Sequence, residues 1–274
     1  MKPKLKAKHV AIIIFAFIIV YSFIISNFAP YDPTRWNTVP RDQPPSLKYP
    51  FGTTSLGQDL FWLCSLALKN SISMAVLTST IGVVIALLLG IIAGYVRGRA
   101  FAAMTFIIDS FCVIPALPIL VLIFSLIRES LSPLLIALWI AVFSWAWPSR
   151  YVRSVVLSLR ERGFTYVARF SGYGLIDLIR YHYLPYIFGL IVMSFFNIMI
   201  WAIGIETTLA IFGLISLAEP TLGLIIFWAM NYQAIPRNIW WWVFFPTLLL
   251  ILLCVSLYFI LLDLYRKYVL GLSQ

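Results

Sequence analysis

The sequence predicts an all-α integral membrane protein with six transmembrane helices and a short helix in one of its polar loops. Three observations carry that prediction. Of 274 residues, 62% are apolar and only 11% charged, whereas a soluble domain carries about 25% charged residues; mean hydropathy is +0.97. Apolar runs recur at the length of about 20 residues needed to cross roughly 30 Å of hydrocarbon. Lys and Arg crowd into alternate loops. So little charge cannot cover a water-compatible surface, which excludes a soluble enzyme, a disordered chain and a disulfide scaffold.

The spans are Val10–Phe28, Ser71–Tyr95, Phe101–Ile127, Pro133–Trp147, Tyr186–Leu214 and Trp240–Leu262. The first follows Lys2, Lys4, Lys6 and Lys8, like the start of a secretory signal. It outlasts the roughly 7–15 apolar residues of such a signal, and cleavage after Ala29 would fall before Pro30, so it reads as a retained span. With the N-terminus inside, 14 Lys and Arg lie on the cytoplasmic side and 6 on the outer side. Both termini are therefore expected in the cytoplasm. The net charge of +10 reads as this loop bias, with no nucleic acid implied.

Two polar stretches separate the spans. Residues 29–70 are expected outside, irregular at first, with Leu56–Leu68 forming an apolar helix near the surface. Residues 149–185 are expected inside and hold six arginines. Neither holds a soluble domain, so residues 1–274 read as a single transmembrane domain. On the second span, Gly82, Ala86, Gly90, Gly94 and Gly98 recur every four residues, a stripe that lets two helix backbones approach closely. Its partner is either this chain's own bundle or another subunit. Trp240, Trp241 and Trp242 read as an aromatic belt at the membrane surface.

Catalytic chemistry is absent. The two histidines, His9 and His182, form no helical pair for zinc, and no G-x-S-x-G elbow occurs. Cys64, Cys112 and Cys254 are odd in number and widely spaced, so no disulfide framework or metal site follows. Gly52-Thr53-Thr54-Ser55-Leu56-Gly57-Gln58-Asp59 has the glycine spacing of a phosphate loop but lacks its Lys and Ser/Thr. No cofactor is expected. Asp109 and Glu206 lie inside spans, where ionisable groups are costly; structural hydrogen bonding, a substrate or gating role and ion coupling all remain open for them.

The inner loop carries the most information. Gly163 and Gly172 bracket eight residues, about 12 Å of helix. Ala168 and Gly172 stand four apart on one face, giving a short surface helix with one smooth side and arginines around it. An ordinary basic interfacial helix and a docking site for another protein both fit.

Here the sequence resembles the permease subunits of ATP-binding-cassette importers, in the branch serving dipeptides, oligopeptides, nickel and, in some organisms, oligosaccharides. That family's inner loop reads E-A-A-x-x-x-G, then twelve residues on, L-P. Tyr166-Val167-Ala168 stands at E-A-A, Gly172 at the glycine and Leu184-Pro185 at L-P, with His182 at the usual histidine; the glutamate is missing. The stretch from Phe51 to Asp59 is similar to F-G-T-D-x-x-G-R-D, with Gln58 in place of the arginine, and Ser71 stands at a later serine of the pattern. Asp109 with Pro115 matches an acid-then-proline pair. The stretch from Glu206 to Leu214 resembles E-x-x-L-S-F-L-G-L, and Trp240-Trp241-Trp242 with Pro246 and Asp263 fits the last span.

The resemblance implies that two permease chains form a pathway, two ATP-binding-cassette ATPase subunits dock beneath, and an external substrate-binding protein delivers a peptide-like or oligosaccharide solute. By the same resemblance Thr165, Tyr166, Val167, Ala168, Arg169, Gly172 and Tyr173 would form the ATPase-docking coupling helix, with Asp109 and Glu206 in the pathway or its gate. This chain itself would hydrolyse no ATP. An ion-driven secondary transporter would instead show internal repeats with matching helix breaks, which the sequence lacks. A membrane assembly factor would be told apart by the absence of a co-purifying ATPase.

Overall fold

A computed structural model describes residues 3–127, 132–215 and 219–268, with side chains from residue 9 onward. Ten helices organise the described residues: α1 (Pro3–Ile19), α2 (Leu60–Tyr95), α3 (Gly98–Val113), α4 (Ala116–Leu126), α5 (Pro133–Ser144), α6 (Ala146–Arg160), α7 (Gly163–Phe170), α8 (Leu175–Ile211), α9 (Leu222–Asn231) and α10 (Trp241–Tyr268). A π turn at Val20–Ile24 and a 3-10 turn at Ile25–Phe28 prolong α1. Another π turn, Leu178–Tyr183, lies within α8.

Four helical segments are long and apolar enough to cross a membrane: His9–Phe28, α2, α8 and α10. A fifth is made if α3 and α4 count as one span bent by 74°. The bend has a local cause. Pro115 has no N–H to continue the ladder and forces the residue before it out of the helical region; Ile114 accordingly sits at φ −62°, ψ 123°. The expected run Pro133–Trp147 is also divided, into α5 of 12 residues and α6 of 15, joined through Trp145. Pro148 is tolerated because it falls in the first turn of α6, where no N–H is needed.

The expected surface helix Leu56–Leu68 is corrected. Its residues from Leu60 onward are the first turns of α2, a single helix of 36 residues, which at about 1.5 Å per residue is about 54 Å long. Asp59 starts it by accepting from the Phe61 N–H at 2.9 Å, an N-cap. Leu60, Leu63, Cys64, Ala67 and Leu68 are buried, so apolar packing and not the surface takes this segment. The 149–185 stretch is mostly helix as well, comprising α6, α7 and the start of α8. Between the fifth and sixth runs lies α9, which the sequence reading did not separate; Leu222, Leu224, Ile225 and Ala229 bury it against α8 and α10.

The glycine stripe finds its partner within the chain. A Cβ on Gly90 would stand 2.7 Å from Val152 Cβ and 2.8 Å from the Ser149 carbonyl; one on Gly94 would stand 2.7 Å from Val156 Cβ and 2.8 Å from the Arg153 carbonyl. A Cβ on Gly82 would overlap the Ser144 hydroxyl. At this separation the Ser149 hydroxyl donates to the Ala86 carbonyl at 3.1 Å. The stripe therefore seats α6 and the end of α5 against α2. Gly98 stands apart, at the start of α3 with φ +61° and no neighbour within 4 Å.

The tryptophan triplet is corrected too. Trp242 is fully buried, and Trp241 is buried with its indole N–H donating to the Thr53 carbonyl at 3.1 Å; only Trp240 is exposed. Successive helical residues point about 100° apart, so three in a row cannot all face the membrane surface. Trp241 also packs where a Cβ on Gly52 would stand, 2.7 Å away, and Gly52 holds φ +76°. This contact ties the Phe51–Asp59 turn to α10. The same turn is fastened by Tyr31, whose hydroxyl donates to Asp59 at 2.8 Å, and by Arg237, whose guanidinium donates to the Ser55 hydroxyl at 3.0 Å.

Candidate functional site at the junction of α6, α7 and α8

Helix α7 spans Gly163–Phe170 and ends in a Schellman motif. The Tyr173 N–H donates to the Ala168 carbonyl at 3.1 Å and the Gly172 N–H to the Arg169 carbonyl at 3.0 Å. That closure requires a left-handed residue, and Gly172 supplies it at φ +85°.

The two faces of α7 differ from the expectation. Ala168 is buried in an apolar cluster with Val152, Val156 and Leu159 of α6 and Leu178, Tyr183 and Ile187 of α8. Thr165 is buried as well, its hydroxyl donating to the Leu159 carbonyl at 2.7 Å. The smooth side of the helix thus seats it on its own chain, since small residues allow the close approach. The outward face is formed by Tyr166, Val167, Arg169, Phe170 and Tyr173, with Phe170 92% exposed. Phe170 was missed in the sequence, although its spacing of three and four from Val167 and Tyr166 puts it on their face.

Charge and aromatic contacts hold the corner in register. Glu161 accepts from Arg160 Nε at 3.0 Å, from the Tyr166 hydroxyl at 3.1 Å and from Arg97 at 3.4 Å. The Arg160 and Tyr166 hydrogen bonds hold its carboxyl below the usual carboxylate range. The other edge of the Arg160 guanidinium reaches the carbonyls of Gly94, Tyr95 and Val96 at 3.0 to 3.3 Å, which are orphan acceptors at the end of α2. Arg169 lies over the Tyr95 ring at 5.1 Å. On the α8 side, Phe164 stacks with His182 and Tyr186, and Tyr173 meets His182 edge-on.

Residues 86–269 match the family of binding-protein-dependent transport system inner membrane components. The chain belongs to that family. It is 31% identical over 232 residues to the oligopeptide transport system permease protein OppC of Mycobacterium tuberculosis, covering 83% of this chain and 77% of that one. It is 27% identical over 271 residues to the dipeptide transport system permease protein DppC of Bacillus subtilis, covering 98% and 80%. With the nickel transport system permease protein NikC of Escherichia coli it shares 30% identity over 166 residues, covering 61% and 59%. Among solved structures, a chain of the methionine ABC transporter MetNI in inward-facing conformations has the same fold, with a TM-score of 0.57 at 18% identity, over 76% of this chain and 96% of that one.

The permease is thus a multi-pass inner-membrane protein of an ABC importer, in which ATP hydrolysis belongs to a separate subunit and an external binding protein is implied. Within it, Asp109 of α3 faces Arg150 and Arg153 of α6, each at 3.5 Å. In the sequence those arginines fall in the inner loop and Asp109 inside a span, because the pairing is between helices about forty residues apart. Glu206 is elsewhere, fully buried on α8 beside the Thr207 and Thr221 hydroxyls, with neither carboxyl oxygen in hydrogen-bond geometry. Asp109 and Glu206 are not brought together.

Proposed function

We propose that this permease forms half of the translocation pathway for peptides, pairing with a second permease subunit above two ATPase subunits, and that α7 is its coupling helix. One observation carries the coupling reading: α7 presents Tyr166, Val167, Phe170 and Tyr173 to solvent beside arginines, while its opposite face is packed into α6 and α8. Peptide as solute rests on relatives named for oligopeptides and dipeptides; the relative named for nickel keeps that ion as the competing cargo. An oligosaccharide finds no such support.

The mechanism follows from the packing. A push on Phe170 and its neighbours passes through Ala168 and Thr165 into α6 and the start of α8. From α6 it reaches α2 at Gly90 and Gly94, where the two helices stand so close that an added Cβ would lie only 2.7 to 2.8 Å from atoms of α6. Closure of the ATPases therefore moves α2, α6 and α8 as one body, a rigid pivot between two arrangements. The Asp109 pair with Arg150 and Arg153 would tie α3 to that body, and buried Glu206 would set the seat of α9 on α8.

In this reading residues 1–274 form one domain with six spans: α1 with its extension to Phe28, α2, the bent pair α3–α4, α5 with the first residues of α6 (Pro133–Trp147), α8 from Tyr186 onward, and α10. Residues 29–70 lie outside, residues 149–185 and both termini inside, as the split of positive charge favours. The test is the full importer carrying Phe170→Asp. A buried Phe contributes about 1.5–3 kcal/mol, so ATPase co-purification and uptake should both fall tenfold or more, at normal membrane insertion. Wild-type ATPase capture by that variant would overturn the coupling assignment.

A further inference from the structure

We infer that the cavity between residues 34–58, α2, α9 and α10 is a subsite for an uncharged aromatic or bulky aliphatic side chain of the transported peptide. This rests on the peptide reading above. The cavity measures about 370 Å³ and is walled by Trp36, Leu63, Leu224, Trp228 and Trp242, with Thr34 and Gln58 at its polar side. That volume is within the roughly 300–1,000 Å³ of small-molecule sites.

The walls select chemistry. Trp36 meets Trp228 edge to face at 6.3 Å and 81°, and Tyr232 bridges Trp228 to Trp242 at 6.0 and 5.8 Å. Such a set of faces and edges receives a further ring in the same geometry. Trp242 is fully buried and forms the inner wall of the cavity. Among the described residues no charged side chain lines the cavity, so a lysine or glutamate side chain would lose its hydration there without a counter-charge. A sugar fits poorly, since the Gln58 amide nitrogen is already engaged by the Pro33 and Thr34 carbonyls at 3.2 and 3.0 Å. Trp36 is 58% exposed whereas Trp242 is 1%, so the cavity runs from an open rim to a closed end.

The test uses the complete importer, with its second permease, ATPases and binding protein, in vesicles loaded with ATP. Uptake of labelled Ala-Trp-Ala, Ala-Ala-Ala and Ala-Lys-Ala is measured for wild type, Trp36→Ala and Trp242→Phe. Trp36→Ala changes only the exposed rim, and Trp242→Phe keeps an aromatic ring while trimming the inner wall. The KM for Ala-Trp-Ala should rise about tenfold in Trp36→Ala and severalfold in Trp242→Phe, with the other two peptides unchanged. No change, or an equal change for all three peptides, would overturn the subsite. So would weakened capture of the peptide-free binding protein by these variants, which would make the cavity a docking pocket for that protein. A wild-type importer that carries none of the three peptides would instead overturn the peptide reading, and the subsite with it.

Discussion

Replacing Gly172 by alanine, leucine and asparagine separates two reasons for a glycine at the end of α7. Gly172 holds φ +85°, and among the described residues nothing lies within 4 Å of the position its Cβ would take. Within this subunit the backbone angle, not space, excludes a side chain. A left-handed residue with a Cβ costs about 1–2 kcal/mol, which is a factor of about 5–30 in a local equilibrium. Gly172→Ala and Gly172→Leu should therefore loosen the corner to a similar degree, and Gly172→Asn should recover part of the loss because asparagine tolerates this conformation. The direct readout is hydrogen exchange at the Tyr173 amide, which is bonded to the Ala168 carbonyl; exchange should quicken about 5–30-fold in the alanine variant. ATPase capture should fall in the same order. An alanine variant close to wild type, with both asparagine and leucine inactive, would refute this reasoning and put a packed contact with a partner in place of the backbone angle.

Two further predictions follow from the same corner. Gly94→Ala should lower the Tm of the isolated chain in detergent, because its Cβ would meet Val156 and the Arg153 carbonyl and overpacking costs about 1–3 kcal/mol; an unchanged Tm with lost subunit assembly would mean that the stripe faces another chain. The Glu161 carboxyl is held below the usual range by Arg160 and Tyr166, so its support of the corner is complete above the ordinary carboxylate pKa of about 4.3 and fades as pH falls through the lower folded value. Amide exchange of α7, corrected for its intrinsic pH dependence, should quicken on acidification in wild type but not in Glu161→Gln; the same acid response in both would exclude Glu161 as its source.

The membrane class of this protein was legible in its composition, because charge too sparse to cover a surface is a property of the whole chain. The short helix between Gly163 and Gly172 was legible for a local reason: a glycine after an apolar turn favours the left-handed closure that Gly172 makes. What faces that helix was not. Ala168 looked like part of an outward surface, yet it is buried in the cluster with Val156 and Tyr183, because spacing tells which residues share a face but not which face meets a neighbour. The same limit hid the burial of Trp241 and Trp242 and left the partner of Gly90 and Gly94 open. Asp109 required tertiary structure most plainly. Its charge is answered by Arg150 and Arg153 across two helices, and a pairing between distant segments is set by how the helices pack, which no local pattern encodes. Periodicity and end signals are properties of neighbours along the chain, so the sequence alone determined the membrane class and the presence of the short helix α7. Orientation of faces and the cavity at Trp36 depend on neighbours in space, and only the folded chain decided them.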